Sequence, residues 1–204
     1  MTANRIFLLS PASTAGKRAA TLLREEADFP LAQRLREEGA PLGEVFAFMS
    51  ALYFRGKLAY ASAFARAPED RSGALIITSS RGLLPADTVV TPDDLRAFAA
   101  VDIEPEEPRF REPLAAGAEG LAAELGPGDK VVLLGSIASG KYLEILLEVL
   151  GDRLLFPEAF VGRGDMSRGG LLLRCVEDRC ELDYVRAADA ARRGSRPPKL
   201  APRR

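Results

Sequence analysis

The residues best suited to chemistry gather in one stretch, Lys130–Leu150, KVVLLGSIASGKYLEILLEVL. Within it Gly135–Lys141 matches G-x-x-x-x-G-K, the spacing by which loop amides cradle a phosphate and a lysine supplies charge. The next position is Tyr142, where a nucleoside triphosphatase needs a Ser or Thr hydroxyl to hold Mg²⁺. Magnesium-dependent triphosphate hydrolysis is therefore rejected, and two readings stay open. In one, Gly135, Ser136 and Gly140 expose amides at a helix start and bind an anion together with Lys141. In the other, the glycines only permit a tight turn between strand and helix. Lys141 and Tyr142 are the candidate catalytic groups, each as a nucleophile or proton carrier in a desolvated pocket.

These groups need a scaffold, and the chain spells one out. Val131–Leu134 is an apolar run of the kind buried on both faces of a parallel sheet. Tyr142–Leu150 reads as a helix with Glu144 and Glu148 as its polar strip, closed by Gly151. The same order of strand, polar turn and helix occurs twice more. Arg5–Leu9 runs into Ser10-Pro11, and Ala74–Thr78 runs into Ser79-Ser80-Arg81-Gly82. Parallel strands would bring Ser10, Thr78 and Gly135 to one sheet edge, where α/β proteins bind ligands. Ser10, Thr78, Ser79, Arg81, Gly135, Ser136 and Gly140 are accordingly the expected binding residues. Arg163 and Arg168 join them if the glycine-rich stretch Val161–Gly170 projects into the site with Asp165; otherwise that stretch is an exposed loop. Ser13, Thr14, Gly16, Lys17 and Arg18 offer either a second anion contact or the capped start of a helix.

The remaining elements follow from periodicity and breakers. Leu42–Arg66 predicts one long helix interrupted at Gly56, by a kink or a close backbone approach. Tyr53, Phe54 and Tyr60 flank Arg55 and Lys57 there, either as a base-stacking surface or as core residues beside solvated cations. Thr91-Pro92-Asp93-Asp94 is a helix start, Val101–Ile103 an edge strand, and Arg109–Leu125 a helix that starts afresh near Pro113. Leu154–Phe156 is a further strand. Leu171–Val176 and Cys180–Val185 predict a hairpin around Glu177-Asp178-Arg179. The expected fold is a three-layer α/β sandwich with a mainly parallel sheet and a C-terminal β-hairpin. Residues 1–186 form its single domain, and 187–204 a basic, Pro/Arg-rich disordered tail.

Composition narrows the function classes. The chain has 204 residues, 47% hydrophobic content and a formal charge of −1, enough core for one domain and no overall bias toward nucleic acid. The charge is uneven, however. From Arg186 onward there are seven basic residues against the single acid Asp189. Histidine is absent, which excludes an imidazole-based serine triad and His-ligated metals within the chain. Two cysteines, Cys175 and Cys180, cannot complete a standard zinc site. No cofactor or metal is assigned. Low cysteine usage and the lack of a secretory signal predict a cytoplasmic protein with reduced thiols and no membrane segment. The abundance of Ala, Arg and Gly suggests a GC-rich bacterial genome.

One family shares these features. Ala74–Val90, ALIITSSRGLLPADTVV, resembles a segment of the uncharacterised middle domain of archaeosine synthase, a tRNA-modifying relative of the tRNA-guanine transglycosylases. The resemblance extends through Arg109–Leu125 to the strand at Val131. Small bacterial proteins of a related, uncharacterised kind show a similar order of tyrosine-bearing helix, strand with Ser and Gly-Leu, and strand with Gly followed by a Tyr-bearing helix. Here those are Tyr53–Phe64, Ile77–Leu84 and Leu134–Leu147. The resemblance implies a fold like uracil-DNA glycosylase, and nucleobase or nucleic-acid binding or tRNA base modification. The chain departs from archaeosine synthase in having no histidine and no cysteine before Cys175. The alternative is a non-catalytic accessory domain that holds a phosphorylated small molecule or a protein partner.

Overall fold

A computed structural model of the chain describes residues 3–69 and 71–201. Strand β1 (Arg5–Leu9) is followed by α1 (Lys17–Leu22), α2 (Pro30–Glu37), the short β2 (Ala40–Pro41), α3 (Leu42–Ser50) and α4 (Leu52–Phe64). Next come β3 (Ala74–Ile77), β4 (Leu83–Pro85), β5 (Val89–Val90), α5 (Pro92–Ala99) and α6 (Pro108–Glu124). The chain closes with β6 (Lys130–Leu134), α7 (Leu143–Leu150), β7 (Leu154–Pro157), α8 (Asp165–Asp178) and β8 (Tyr184–Arg186).

Six strands form one sheet in the order β4-β3-β1-β6-β7-β8. The four inner strands are parallel, and β4 and β8 pair antiparallel at the two edges. Phe7, Leu8 and Leu9 of β1 and Val131–Leu134 of β6 are buried, as strands covered on both faces must be. The chain steps from β1 to β3 on one side, then returns to place β6 on the other side of β1. Right-handed crossovers then put the helices between β1 and β3 on one face and those between β3 and β7 on the other. The result is an α/β fold with a mainly parallel mixed sheet flanked by helices. Ser10, Thr78 and Gly135 lie at the carboxyl ends of the three adjacent strands β1, β3 and β6, on one edge, as expected.

The C-terminal hairpin is a correction. Leu171–Val176 is part of helix α8, and only Tyr184–Arg186 is a strand, paired with β7. The reason is visible in the buried positions of α8: Arg168, Gly169, Leu172 and Cys175 recur at helical spacing and pack on α4. A short apolar run fits a strand or a buried helix equally well, so the run alone could not decide. Val101–Ile103 is likewise loop rather than edge strand, and Leu83–Pro85, just past the Ser79–Gly82 turn, is the edge strand β4.

Two other expectations change in detail. Leu42–Arg66 is two helices, broken at Ala51, whose φ of 51° lies where non-glycine residues are strained. Gly56 lies within the continuous helix α4 and serves a close approach: a Cβ there would lie 2.7 Å from the carbonyl oxygen of Gly169 on α8. Helix α6 runs continuously through Pro113. Helix α5 begins with a capping box in which the Thr91 amide donates to the Asp94 carboxylate and the Asp94 amide donates to Thr91 Oγ1. Residues 187–201 carry no helix or strand, yet Ala187 is buried, Arg192 pairs with Glu144, and Arg174 of α8 donates to the Ala201 carbonyl. Residues 202–204 of the expected tail lie outside the described residues.

Candidate functional site

A sheet whose order reverses beside β1 leaves a crevice beyond the carboxyl ends of β1 and β6, because their following segments depart to opposite faces. A cavity of about 520 Å³ occupies that place. Its lining combines hydroxyls from Ser10, Ser13, Thr14, Ser50, Ser79 and Ser136 with the rings of Phe46, Tyr53, Phe98 and Tyr142. The charged groups around it are Asp102, Lys141 and Asp165. The volume suits a small-molecule ligand, and the mixture of aromatic wall and sparse polar groups is usual for such sites.

Each wall has a local cause. Ser10 continues the β1 ladder, its amide donating to the Leu134 carbonyl over 3.1 Å. Phe98 is delivered by α5, whose C-terminal turn is tied down by Ser79: its Oγ donates to the Phe98 carbonyl over 2.6 Å. Tyr53 enters from the first turn of α4, just past the strained Ala51. Tyr142 lies back over Gly135, where a Cβ would come within 2.9 Å of Ser10 Cβ and 3.1 Å of the Tyr142 hydroxyl oxygen. Gly135 is thus required by the close approach of Ser10 and Tyr142.

Two amides of the turn after β6 are paired within it. The Ser136 amide donates to the Tyr142 hydroxyl over 3.2 Å, and the Ala138 amide to Ser136 Oγ over 3.4 Å. Lys141 is half exposed at the rim and forms an ion pair with Glu104. Tyr142, by contrast, is buried, and burial pushes its hydroxyl pKa up, so the group keeps its proton.

The other expected residues divide between the cavity and its supports. Ser10, Ser79, Ser136, Lys141 and Tyr142 line it together. Thr78 closes the turn after β3, donating to the Gly82 carbonyl and accepting from the Arg81 amide. Arg81 pairs with Asp94 on the surface. Gly140 supplies a positive φ of 71° ahead of α7. Arg163 donates to the Ala159 carbonyl and to Ser167 Oγ, away from the cavity lining. Arg168 is buried behind Tyr53, where Nε and Nη2 donate to the Phe160 carbonyl over 3.2 and 3.1 Å.

Sequence reasoning passed over the most unusual group beneath this pocket. Lys57 of α4 is 1% exposed, although its type is among those least often buried. Its Nζ donates to the Ser10 carbonyl and lies 2.9 Å from Ser10 Oγ. The same nitrogen sits 4.5 Å from the Tyr53 ring centroid and 4.7 Å from that of Phe54. Desolvation lowers its pKa to about 7; Asp165 opposes that shift and Arg168 adds to it. Arg55, its neighbour, is exposed as a solvated cation should be. The signal was the helical stripe: Lys57 stands one turn from Tyr53 and Tyr60, both buried. Above it, the Tyr53 hydroxyl is buried without a well-formed hydrogen bond, and burial drives its pKa up against the nearby Arg168 charge.

Comparisons of the chain with protein-family models, curated proteins and solved structures give no match.

Proposed function

We propose that the cavity over β1 and β6 recognises a nucleobase or a nucleotide of tRNA, on a fold like that of uracil-DNA glycosylase. The resemblance of Ala74–Val90 to the middle domain of archaeosine synthase favours this class. The single observation that carries it is the lining itself. Phe46, Tyr53 and Phe98 offer apolar ring surface, while Ser10, Ser136 and Asp102 offer donors and acceptors around the same space. A planar heterocycle with polar edges satisfies both, since every base has a π face and edge groups to pair.

An accessory domain that seeks phosphate fits less well. Two amides of the Gly135–Lys141 turn already have partners, Lys141 is paired with Glu104, and Asp102 and Asp165 face the cavity. Like charge repels a phosphate from such a rim.

Thermal shift and calorimetry with free bases, nucleosides, inorganic phosphate and bulk tRNA test the reading, after purification with and without nuclease. A base or nucleoside should raise the melting temperature, and Phe98→Ala should remove the shift. Stabilisation by phosphate alone, or none by any base, would overturn it.

A further inference from the structure

We infer that Ser10 is a nucleophile and Lys57 its general base, so that this pocket carries acyl-transfer chemistry on a substrate with an electrophilic carbonyl, an ester in the simplest case. The inference goes beyond nucleobase recognition and does not depend on it.

The geometry has the parts in place. Ser10 sits in the cavity lining at the end of β1, held by its backbone bond to Leu134. Lys57 Nζ lies 2.9 Å from Ser10 Oγ, within reach for direct proton transfer. The amine is oriented by a second bond, to the backbone carbonyl of Ser10 itself. A neutral amine has two hydrogens and one lone pair. One hydrogen goes to the Ser10 carbonyl, and the lone pair accepts the Ser10 hydroxyl proton. Tyr142 completes the cluster: its hydroxyl and Ser10 close together over Gly135, and the hydroxyl accepts the Ser136 amide. Its own proton is retained and can be donated to negative charge developing beside Ser10.

Burial makes the lysine a base near neutrality. The groups that face it are Tyr53 on its own helix, Ser10 after β1, and Asp165 and Arg168 on α8. Of these, Asp165 favours the charged amine and Arg168 opposes it, while desolvation exceeds both and holds the pKa at about 7. A lysine so depressed is the ordinary requirement for a lysine base.

The reaction balances with water as the only co-reactant. Ser10 Oγ bonds to the ester carbonyl carbon as its proton passes to Lys57. The tetrahedral intermediate collapses, the bond from carbon to alkoxide oxygen breaks, and the alcohol leaves with the proton from Lys57. Water then attacks the acyl-serine, again giving its proton to Lys57. The Ser10 oxygen departs with that proton, releasing the carboxylic acid.

The test is covalent labelling of the full chain with diisopropyl fluorophosphate, followed by intact mass and peptide mapping. Ser10 Oγ forms a bond to phosphorus, fluoride leaves, and Lys57 takes the proton. One adduct on Ser10 is expected, absent in Ser10→Ala and slowed about 100-fold or more in Lys57→Met. Arg55→Ala, exposed on the same helix, should label as the parent does. In the parent chain alone, the labelling rate should rise with pH about a midpoint near 7, as the amine loses its proton. This second readout does not require any variant to fold. Absence of an adduct in the folded parent at alkaline pH, an adduct on another residue, or a rate flat across neutrality would each overturn the inference. So would equal labelling of a folded Lys57→Met chain. Base binding without labelling would sink this inference and leave nucleobase recognition standing; labelling without base binding would do the reverse.

Discussion

Gly56 of α4 and Gly169 of α8 touch backbone to backbone. A Cβ on Gly56 would lie 2.7 Å from the Gly169 carbonyl oxygen, and one on Gly169 would lie 2.8 Å from both the Leu52 carbonyl oxygen and the Tyr53 Cα. Neither pair of contacts ends on a flexible side chain, so nothing nearby can yield cheaply. The crossing holds α8 close above Tyr53 and Lys57, and thereby sets Arg168 and Asp165 beside the pocket.

Gly56→Ala should therefore destabilise the fold by about 1–3 kcal/mol through overpacking, against the small gain that alanine brings to a helix interior. Urea denaturation measures it. An unchanged or raised midpoint would mean that the helices slide apart freely.

Lys57→Met should change how stability depends on pH. The folded-state pKa of Lys57 is lowered to about 7 from an ordinary 10.5. Between those values the unfolded chain binds a proton that the folded chain does not, so the contribution of this site to stability rises with pH across that window. Below about 7 the buried charge is present and its full cost remains. The melting-temperature gain of Lys57→Met over the parent should thus be largest in mild acid and shrink toward alkaline pH. A gain that grows with pH would contradict a depressed pKa.

Ala51→Gly should stabilise the chain by up to about 1–2 kcal/mol, because glycine occupies the observed positive φ without Cβ strain. The entropy lost by glycine on folding subtracts from that gain. Thermal unfolding decides it; a lower melting temperature would show that the strain is already relieved by packing.

Removal of residues 191–204 should cost less than about 1 kcal/mol, since the ion pair of Arg192 with Glu144 and the bond of Arg174 to the Ala201 carbonyl are both exposed. The same truncation should abolish any salt-sensitive, sequence-blind affinity for nucleic acid carried by the arginines of that segment. A fall of many degrees in melting temperature would show that Ser195, against Gly162, is an essential part of the fold.

The three parallel strands and the site edge were legible because each of β1, β3 and β6 is an apolar run closed by a polar or glycine turn. That pattern is local, and it survives into the structure. Leu171–Val176 was not legible, because the residue that decides its helical state, Gly169, acts through a contact with α4. Lys57 was visible only as a cation among aromatics. Its burial follows from Ser10, which lies 47 residues earlier and offers two oxygens to a nitrogen otherwise facing rings. Arg81 and Thr78 had the right types at the right edge, but the turn after β3 uses both for its own closure.

The pocket borrows its walls from Ser10, Tyr53, Phe98, Ser136 and Asp165, which are spread across most of the chain. No single cooperative segment contains it. Binding is therefore linked to the unfolding of the whole sheet rather than to the fraying of one loop. In native-state hydrogen exchange, a bound ligand would slow the amides of β1 and β6, which open only with global unfolding, by the same free energy that it lends to the entire molecule.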